Sequence, residues 1–431
     1  MTPARDRRQD RSEAPGEDRL RDAGGPLSRR QLLGASAVVL TAGGAAATAI
    51  GADTAQAKTA QRTAQTETAL PGTAQTETAQ TETAQAAEAS PAADARPARI
   101  SPAGTELFLL GTAGGPPPVT TRAGTASALS VRGKVYVVDC GRSAVTQYGR
   151  TGLRFQDLTS VFITHLHIDH IADYANFVLL AAHGVNDVGD AALSPFDAYG
   201  PGPAGALPDA YGGGQPGTVG PADPTPGLQD LTEKSLEATA YSSNIFMRES
   251  GRPDPHTHVG VHEIELPPGT GSDPLRNLAP DMEPFLVMDD GTVRVSAVLV
   301  PHGLVFPCFA YRFDTPDGSV VFSGDTALSD NMVRLARGAD ILVHEVIDLD
   351  FYRNSTGYSE ALLHHMAAAH TDVTEVGPLA QRCGVHTLVL THITPADTFL
   401  VPRDSWHRRA QQGFHGRVLV GNDLDRVRLS G

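Results

Sequence analysis

Residues 162–170 read FITHLHIDH, which places His165, His167, Asp169 and His170 within six consecutive positions after a hydrophobic run. Neutral imidazoles and carboxylates are the donors that zinc takes from proteins, and that manganese or iron take less specifically. A lone His-x-His pair is weak evidence, because surface histidines pair by chance. Here three later apolar runs also deliver a donor: His302 after AVLVP, Asp325 in FSGDT and His392 after LVLT. Seven donors are too many for one tetrahedral ion. They suit two divalent cations about 3.5–4 Å apart that share a carboxylate and a hydroxide, which is a hydrolytic centre.

The elements around these residues must bring four distant segments together. ELFLLG (106–111) opens a run of short strand patterns, and the loop GTAGGPPP follows. ALSVRG and KVYVVDCG read as a hairpin about Arg132-Gly133. Leu158–Thr164 is an apolar strand that feeds the His cluster. Side chains alternate on an extended backbone, so His165 and His167 are expected on one side. Asp169 and His170 follow where the chain turns, and Ile171–Ala182 has helical spacing. PFLVMDD, TVRVSAVLVPH, CFAYRFDT and GSVVFSGDT are strands, with Asp290-Gly291 and Asp317-Gly318 as turns. A short helix (Asn331–Arg337), a strand (ADILVHEVI), a helix within His365–Gln381 and a strand (HTLVLTH) come next. That helix is expected to start near Thr371, with Asp372 in its cap. A helix holding Trp406 and Ala410 and a last strand, GRVLVGND, complete the chain. Hairpins mixed with crossover helices imply an α/β protein of two sheets with helices outside.

Residues 184–280 differ in character. They contain GPGPAGALPDAYGGGQPGTVGPADPTPG, a Gly/Pro-rich loop where no core strand is expected. A helix (Leu228–Tyr241) and a strand (VHEIELPPG) follow. The interval reads as an insertion draped over the core, or as a lid that selects substrate. His256, His258 and His262 fall inside it; they could line an entrance or bind a surface metal, and a catalytic role is not expected for them.

The ends of the chain and its charge narrow the class further. Of the 431 residues, 1–50 read as an export signal: SRRQLL precedes the Ala/Gly-rich run GASAVVLTAGGAAATAI. The Arg29-Arg30 pair resembles the twin-arginine type, which implies that export machinery as a partner and a periplasmic or secreted destination. Residues 51–104, built on TAQTETA repeats, have no spaced apolar face and read as a disordered linker. The folded hydrolase domain is expected over 105–431. A formal net charge of −15 disfavours an extended nucleic-acid groove, although local basic patches are compatible with it. The three cysteines, Cys140, Cys308 and Cys383, lack CxxC spacing and read as buried hydrophobes.

This constellation resembles the metallo-β-lactamase superfamily, through Thr164-His165-Leu166-His167-Ile168-Asp169-His170, His302, Asp325 within SGDT, and His392. The resemblance runs from about Glu106 to Val427 and implies an αββα sandwich of two mixed sheets, with the site at one sheet edge. It further implies that His165, His167 and His302 hold one ion, that Asp169, His170 and His392 hold the other, and that Asp325 bridges them. Within the superfamily the chain looks most like the ribonuclease Z and arylsulfatase-like branch. GTAGG, VVDCG and His344-Glu345 in ILVHEVID carry that likeness, the last close to that branch's HEAT motif but with Val346 in place of alanine. His370 resembles the histidine that precedes the last ligand there and assists phosphodiester cleavage. Thr371-Asp372 departs from the usual Ser-Thr. The interval 184–280 lacks the basic arm of tRNA-processing enzymes.

The expected reaction is hydrolysis by a hydroxide held between two divalent ions, zinc first and manganese or iron as alternatives. Asp169 is expected both to ligate and to aim the hydroxide, and His370 to steady or protonate the leaving oxygen. His344 and Glu345 are expected to orient a metal histidine; a helix cap is the plain alternative for His370. A small soluble phosphodiester or sulfate ester is the favoured substrate. A ribonuclease Z-like endoribonuclease acting on tRNA 3′ ends, a lactone or thioester hydrolase, and a metal-bound binding module without turnover are the alternatives. The sequence leaves homodimerisation open.

Overall fold

The computed structural model describes residues 104–429 apart from positions 184, 185, 188, 193, 212, 215 and 356. The expected signal (1–50) and all but the last residue of the linker therefore lie outside the described residues. Among the described residues, fourteen strands form two sheets of seven. In the first, β1 (Thr105–Gly111), β2 (Ala126–Val131) and β3 (Lys134–Val138) form an antiparallel meander. There β4 (Leu158–Phe162), β5 (Phe196–Pro201) and β6 (Val259–Ile264) extend it in parallel. The second sheet repeats this plan. β7 (Phe285–Asp289), β8 (Arg294–Leu299), β9 (Phe309–Thr315) and β10 (Gly318–Phe322) are antiparallel. To these β11 (Ile341–Ile347), β12 (Thr387–Thr394) and β13 (Arg417–Val420) add in parallel. β14 (Arg426–Arg428) crosses back to pair with β1.

Strand alternation explains the layers. Leu107 and Leu109 on β1, with Tyr136 and Val138 on β3, pack into the apolar cluster shared with the second sheet. Their neighbours Phe108, Leu110, Val135 and Val137 face the opposite way. They pack beneath α1 (Ala144–Arg150), α3 (Tyr174–His183) and α4 (Leu228–Ala238), through Tyr148, Phe177 and Leu228. On the far side, α6 (Asp330–Leu335), α9 (Val373–Cys383) and α10 (Arg403–Ala410) bury Met332, Leu379 and Trp406. The inner strands of each sheet are therefore buried on both faces, which makes the αββα sandwich, while the edge strands β6 and β7 stay partly exposed. Short helices α2 (Ile168–Ile171), α5 (Ala240–Ser250), α7 (Leu349–Asn354) and α8 (Glu360–Ala369) fill the connections. Between the sheets, Phe162 meets Phe313 edge-on at 5.0 Å. Just beyond it, Tyr311 donates from its hydroxyl to the Ile163 carbonyl at 2.7 Å. The Phe309 amide donates to the Thr164 carbonyl at 2.9 Å, so the second sheet holds the backbone leading into the His cluster.

Four sequence expectations change. The interval 184–280 is not all outside the core. It supplies β5, hydrogen-bonded between β4 and β6, and β5 ends on Gly200 and Pro201, the first residues of the supposed strand-free loop. The expected helix over 228–241 is two helices divided at Thr239. GRVLVGND is not the last strand, because β14 follows it. Finally, a separate helix, α8, precedes α9 and carries His364 and His365. α9 itself starts as expected, with Asp372 as its cap accepting from the Thr374 amide at 2.9 Å. The three cysteines are free and buried, as expected.

The β7–β8 turn joins the two sheets at one end. Asp290 Oδ1 accepts from the Thr292 and Val293 amides, each at 2.8 Å. Its Oδ2 accepts from Lys134 Nζ at 2.8 Å and the Tyr136 hydroxyl at 2.6 Å, both on β3. Partial burial pushes this carboxyl up, but Lys134, Tyr136 and the turn amides outweigh that and hold it at about 2. Because the folded value is depressed, the contribution is complete above the ordinary carboxylate pKa and fades as pH falls through about 2. Asp290→Asn keeps the turn bonds and loses the Oδ2 contacts. It should cost about 1 kcal/mol at pH 6, after allowance for solvent screening. Denaturation at a series of pH values should show that difference shrinking between about pH 4 and pH 2.

Candidate metal centre

Each donor arrives from an element end or an irregularity. β4 stops at Phe162, and His165 and His167 lie in the extended loop beyond it rather than on the strand. Asp169 and His170 begin the single turn of α2. His302 follows β8 and Asp325 follows β10. The turn to Asp325 passes through Gly324 at φ 58°, where a Cβ would stand 2.8 Å from the Phe309 carbonyl oxygen. Only glycine fits that crossing. His392 lies inside β12, not at its end. The β11–β12 ladder pairs Glu345 with Thr391 and Val346 with Ile393, so His392 is the extra residue of a bulge, at φ 42°. Bulges re-aim a side chain locally, and this one turns His392 into the site. Gly114 makes room for it: a Cβ there would lie 2.6 Å from His392 Nδ1.

The structure brings all seven predicted donors together. His165, His167, His302 and Asp325 form one group and Asp169, His170 and His392 another, with the ligand atoms of each group within 4.8 Å of one another. Asp325 Oδ2 is the hub, at 3.2 Å from His392 Nε2, 3.3 Å from His170 Nε2 and 3.7 Å from His302 Nε2. Asp169 Oδ2 lies 3.3 Å from His392 Nε2. His302 Nε2 and His167 Nδ1 are 3.1 Å apart. A further group joins His370 to Asp325 and His392.

The surroundings fix the ring tautomers. His302 Nδ1 donates to the Ala369 carbonyl at 2.7 Å. His170 Nδ1 donates to Asp139 Oδ2 at 2.9 Å. The Thr164 hydroxyl donates to the same carboxylate at 2.9 Å and so accepts from His165 Nδ1 at 3.1 Å. Each arrangement turns Nε2 toward the cluster. His165 Nε2, His170 Nε2, Asp169 Oδ1 and Asp325 Oδ1 are buried without a hydrogen-bond partner. Buried orphans of this kind are costly, and divalent cations would satisfy them; the residues fit a dinuclear ion pair. Burial pushes the imidazoles of His167 and His302 down, to about 4 and about 3, so they are uncharged donors at neutral pH. Burial also depresses His165. For His170 burial works the same way, but the charges of Asp325 and Asp139 outweigh it and push its pKa up. Burial notwithstanding, nearby imidazoles keep Asp169 and Asp325 below the usual carboxylate range.

His370, at the C-terminus of α8, stacks over His392 with ring centroids 5.7 Å apart. Its Nδ1 is 3.4 Å from Glu345 Oε2. Burial disfavours the imidazolium, yet Glu345 and then Asp325 outweigh it and push His370 up to about 9. Glu345 Oε1 accepts from the Thr371 amide at 2.8 Å, which fixes the carboxylate. The expectation that His344 and Glu345 orient a metal histidine changes accordingly. Glu345 holds His370, while His344 donates from Nδ1 to the Glu345 carbonyl and bonds none of the seven donors. Alternation along β11 puts these two neighbours on opposite faces.

One contributor was not singled out from sequence. Asp139, in the quoted VVDCG, sits at φ 59° just past β3 and orients both His170 and Thr164. A strand-end aspartate before small residues was the only signal. Asp139→Asn should keep the fold, since Asn tolerates that backbone, and weaken metal affinity about 10–100-fold, as read by chelator competition. His365, half-buried on α8, places its ring 6.2 Å from those of His302 and His370. His256 pairs with Asp254 at 2.7 Å and His262 with Asp197 at 2.9 Å, both exposed. Neither they nor His258 joins a metal-type group among the described residues.

Fold and donor set together define a metal-dependent hydrolase of the metallo-β-lactamase type. The profile of the beta-lactamase superfamily domain matches residues 222–393, and that of the anti-Pycsar protein Apyc1 matches 105–181. The chain is 31% identical over 328 residues to ribonuclease Z of Mycobacterium bovis, covering 75% of this chain and 98% of that protein. Ribonuclease Z of Mycobacterium tuberculosis is 30% identical over 328 residues, with the same coverage. Similar solved structures include the short form of human tRNase Z (TM-score 0.49, 21% identity, covering 76% of this chain and 100% of that one). Another is the Bacillus subtilis metallo-beta-lactamase fold protein YhfI (TM-score 0.47, 17% identity, covering 75% and 99%). The chain belongs to the metallo-β-lactamase superfamily, among its ribonuclease Z-like members.

Proposed function

We propose that this protein hydrolyses phosphodiesters by ribonuclease Z-type chemistry. The observation that carries the reading is the 31% identity to ribonuclease Z across 98% of that protein's length. The seven donors would hold two divalent cations, zinc by the chemistry of the set, which when bound would lower the pKa of coordinated water and polarise the phosphoryl oxygen. The protein's own groups do the rest. The Asp169 carboxylate, buried among the donors, would also accept a hydrogen bond from the attacking water through a second lone pair and set its direction. His370, held by Glu345, donates toward the charge that develops on phosphorus-bound oxygen and protonates the departing oxygen. His365 narrows the same side.

RNA is one candidate substrate, given the relatives. A small diester is the second reading, favoured by the apolar cavity beside His167 and by the −15 charge. Purified protein incubated with precursor tRNA and with bis(p-nitrophenyl) phosphate separates them. Cleavage of RNA alone favours the first, and cleavage of the small diester alone favours the second. Turnover of aryl sulfates or lactones with neither phosphodiester cut would overturn the proposal. We also propose action beyond the cytoplasmic membrane, supported by Arg29-Arg30 and the apolar run after them. A reporter fused behind residues 1–57 and followed in cells with and without the twin-arginine machinery tests this.

A further inference from the structure

A recess beside the metal centre contains none of its carboxylates. A cavity of about 570 Å³ opens where Leu166, His167 and Ile171 face Leu304, Val305 and Phe306. These two walls are the chain segments next to His167 and His302, so the cavity begins where the cluster ends. Its outer side comes from the Gly/Pro-rich segment, through Ala204, Ala206 and Leu207, and from α4, through Leu231, Ser235 and Ala238. Leu207 and Leu304, which line it, keep more than half of their surface exposed, at 53% and 55%. Lone exposed aliphatics need no explanation, but two facing one recess mark a contact surface.

Charge decides what it takes. Apart from His167, Lys234 is the lining residue with a titratable side chain, and its Nζ is 2.6 Å from Asp223 and 3.8 Å from Asp230. A nucleic-acid backbone is bound by ranks of free Lys and Arg, and no such rank lines this wall among the described residues. The size falls within the range of small-molecule sites, which are mostly apolar with few polar groups. We infer that this cavity receives an uncharged apolar substituent of the ester cut at the metal centre. The preferred substrate is then a phosphodiester carrying one bulky aromatic or alkyl group. This rests on the phosphodiesterase reading above. Water adds across one P–O bond, hydroxyl to phosphorus and proton to the departing alcohol, with no redox partner.

The test compares 1-naphthyl p-nitrophenyl phosphate with methyl p-nitrophenyl phosphate, which share a leaving group and differ in the apolar substituent. The wild-type enzyme should favour the naphthyl ester about tenfold to hundredfold in kcat/KM, the selectivity an apolar pocket can supply. Ala206→Trp and Ser235→Trp fill the cavity from separate elements and should bring that ratio to near one. Metal content and Tm matching wild type establish that both variants are folded. In parallel, 1-anilinonaphthalene-8-sulfonate should bind wild type at one equivalent and neither tryptophan variant. Equal kcat/KM for the two diesters, or a preference that survives both variants, overturns the assignment. If neither diester is cut yet the probe binds at one equivalent and is lost in both variants, the phosphodiesterase reading fails and the apolar site stands. Absence of both turnover and stoichiometric probe binding overturns both.

Discussion

Asp325→Asn should leave a folded protein that retains at most one tightly held cation and hydrolyses its substrate about 10³-fold more slowly. The Oδ2 atom it alters lies within 3.7 Å of Nε2 of three histidines drawn from both donor groups. No other donor is so placed. Asparagine preserves shape and volume but removes the negative charge and one of the two acceptor oxygens. The loss of several kcal/mol of charge stabilisation corresponds to the stated factor, at roughly 1.4 kcal/mol per tenfold. Elemental analysis after dialysis against a mild chelator, on the sample used for kinetics, checks both halves. Two retained equivalents together with a rate within about tenfold of wild type would show that the hub lies elsewhere.

His370→Ala is expected to have the next largest effect, and one that depends on the substrate. If His370 protonates the departing oxygen, its loss should cost about 10²–10⁴-fold in kcat with an alkyl leaving group. It should cost far less with p-nitrophenolate, which departs without a proton. Metal content should be unchanged, because the seven donors are complete without this residue. Glu345→Gln should follow the same pattern more weakly, since it loosens the 3.4 Å contact without removing the ring. A uniform loss across leaving groups, or loss of a cation, would instead make His370 a ligand, a role its proximity to Asp325 and His392 allows.

The parts of this protein that were legible in its sequence are those encoded over a few residues. HLHIDH announces itself because donor types and spacing are local, and the later donors stand out because each follows an apolar run. The hairpin at Arg132-Gly133 was legible for the same reason: both residues take positive φ, at 50° and 88°. β5 was not legible. FDAYGP has weak strand character, and its extended form is sustained by β4 and β6 on either side, partners tens of residues away. The role of Asp139 was not legible either, because its partner His170 lies 31 positions on and on another element.

The sequence by itself determined the donor set and most of the strands with their layering, because side-chain chemistry and short apolar runs bounded by turn residues are properties of neighbouring residues. Only the tertiary structure decided that Asp325 is the hub, that His392 enters through a bulge, that Glu345 serves His370, and that an apolar recess adjoins His167. Those are distances between segments up to about two hundred residues apart. They are set by how two twisted sheets pack over a shared core, and no local pattern carries that information.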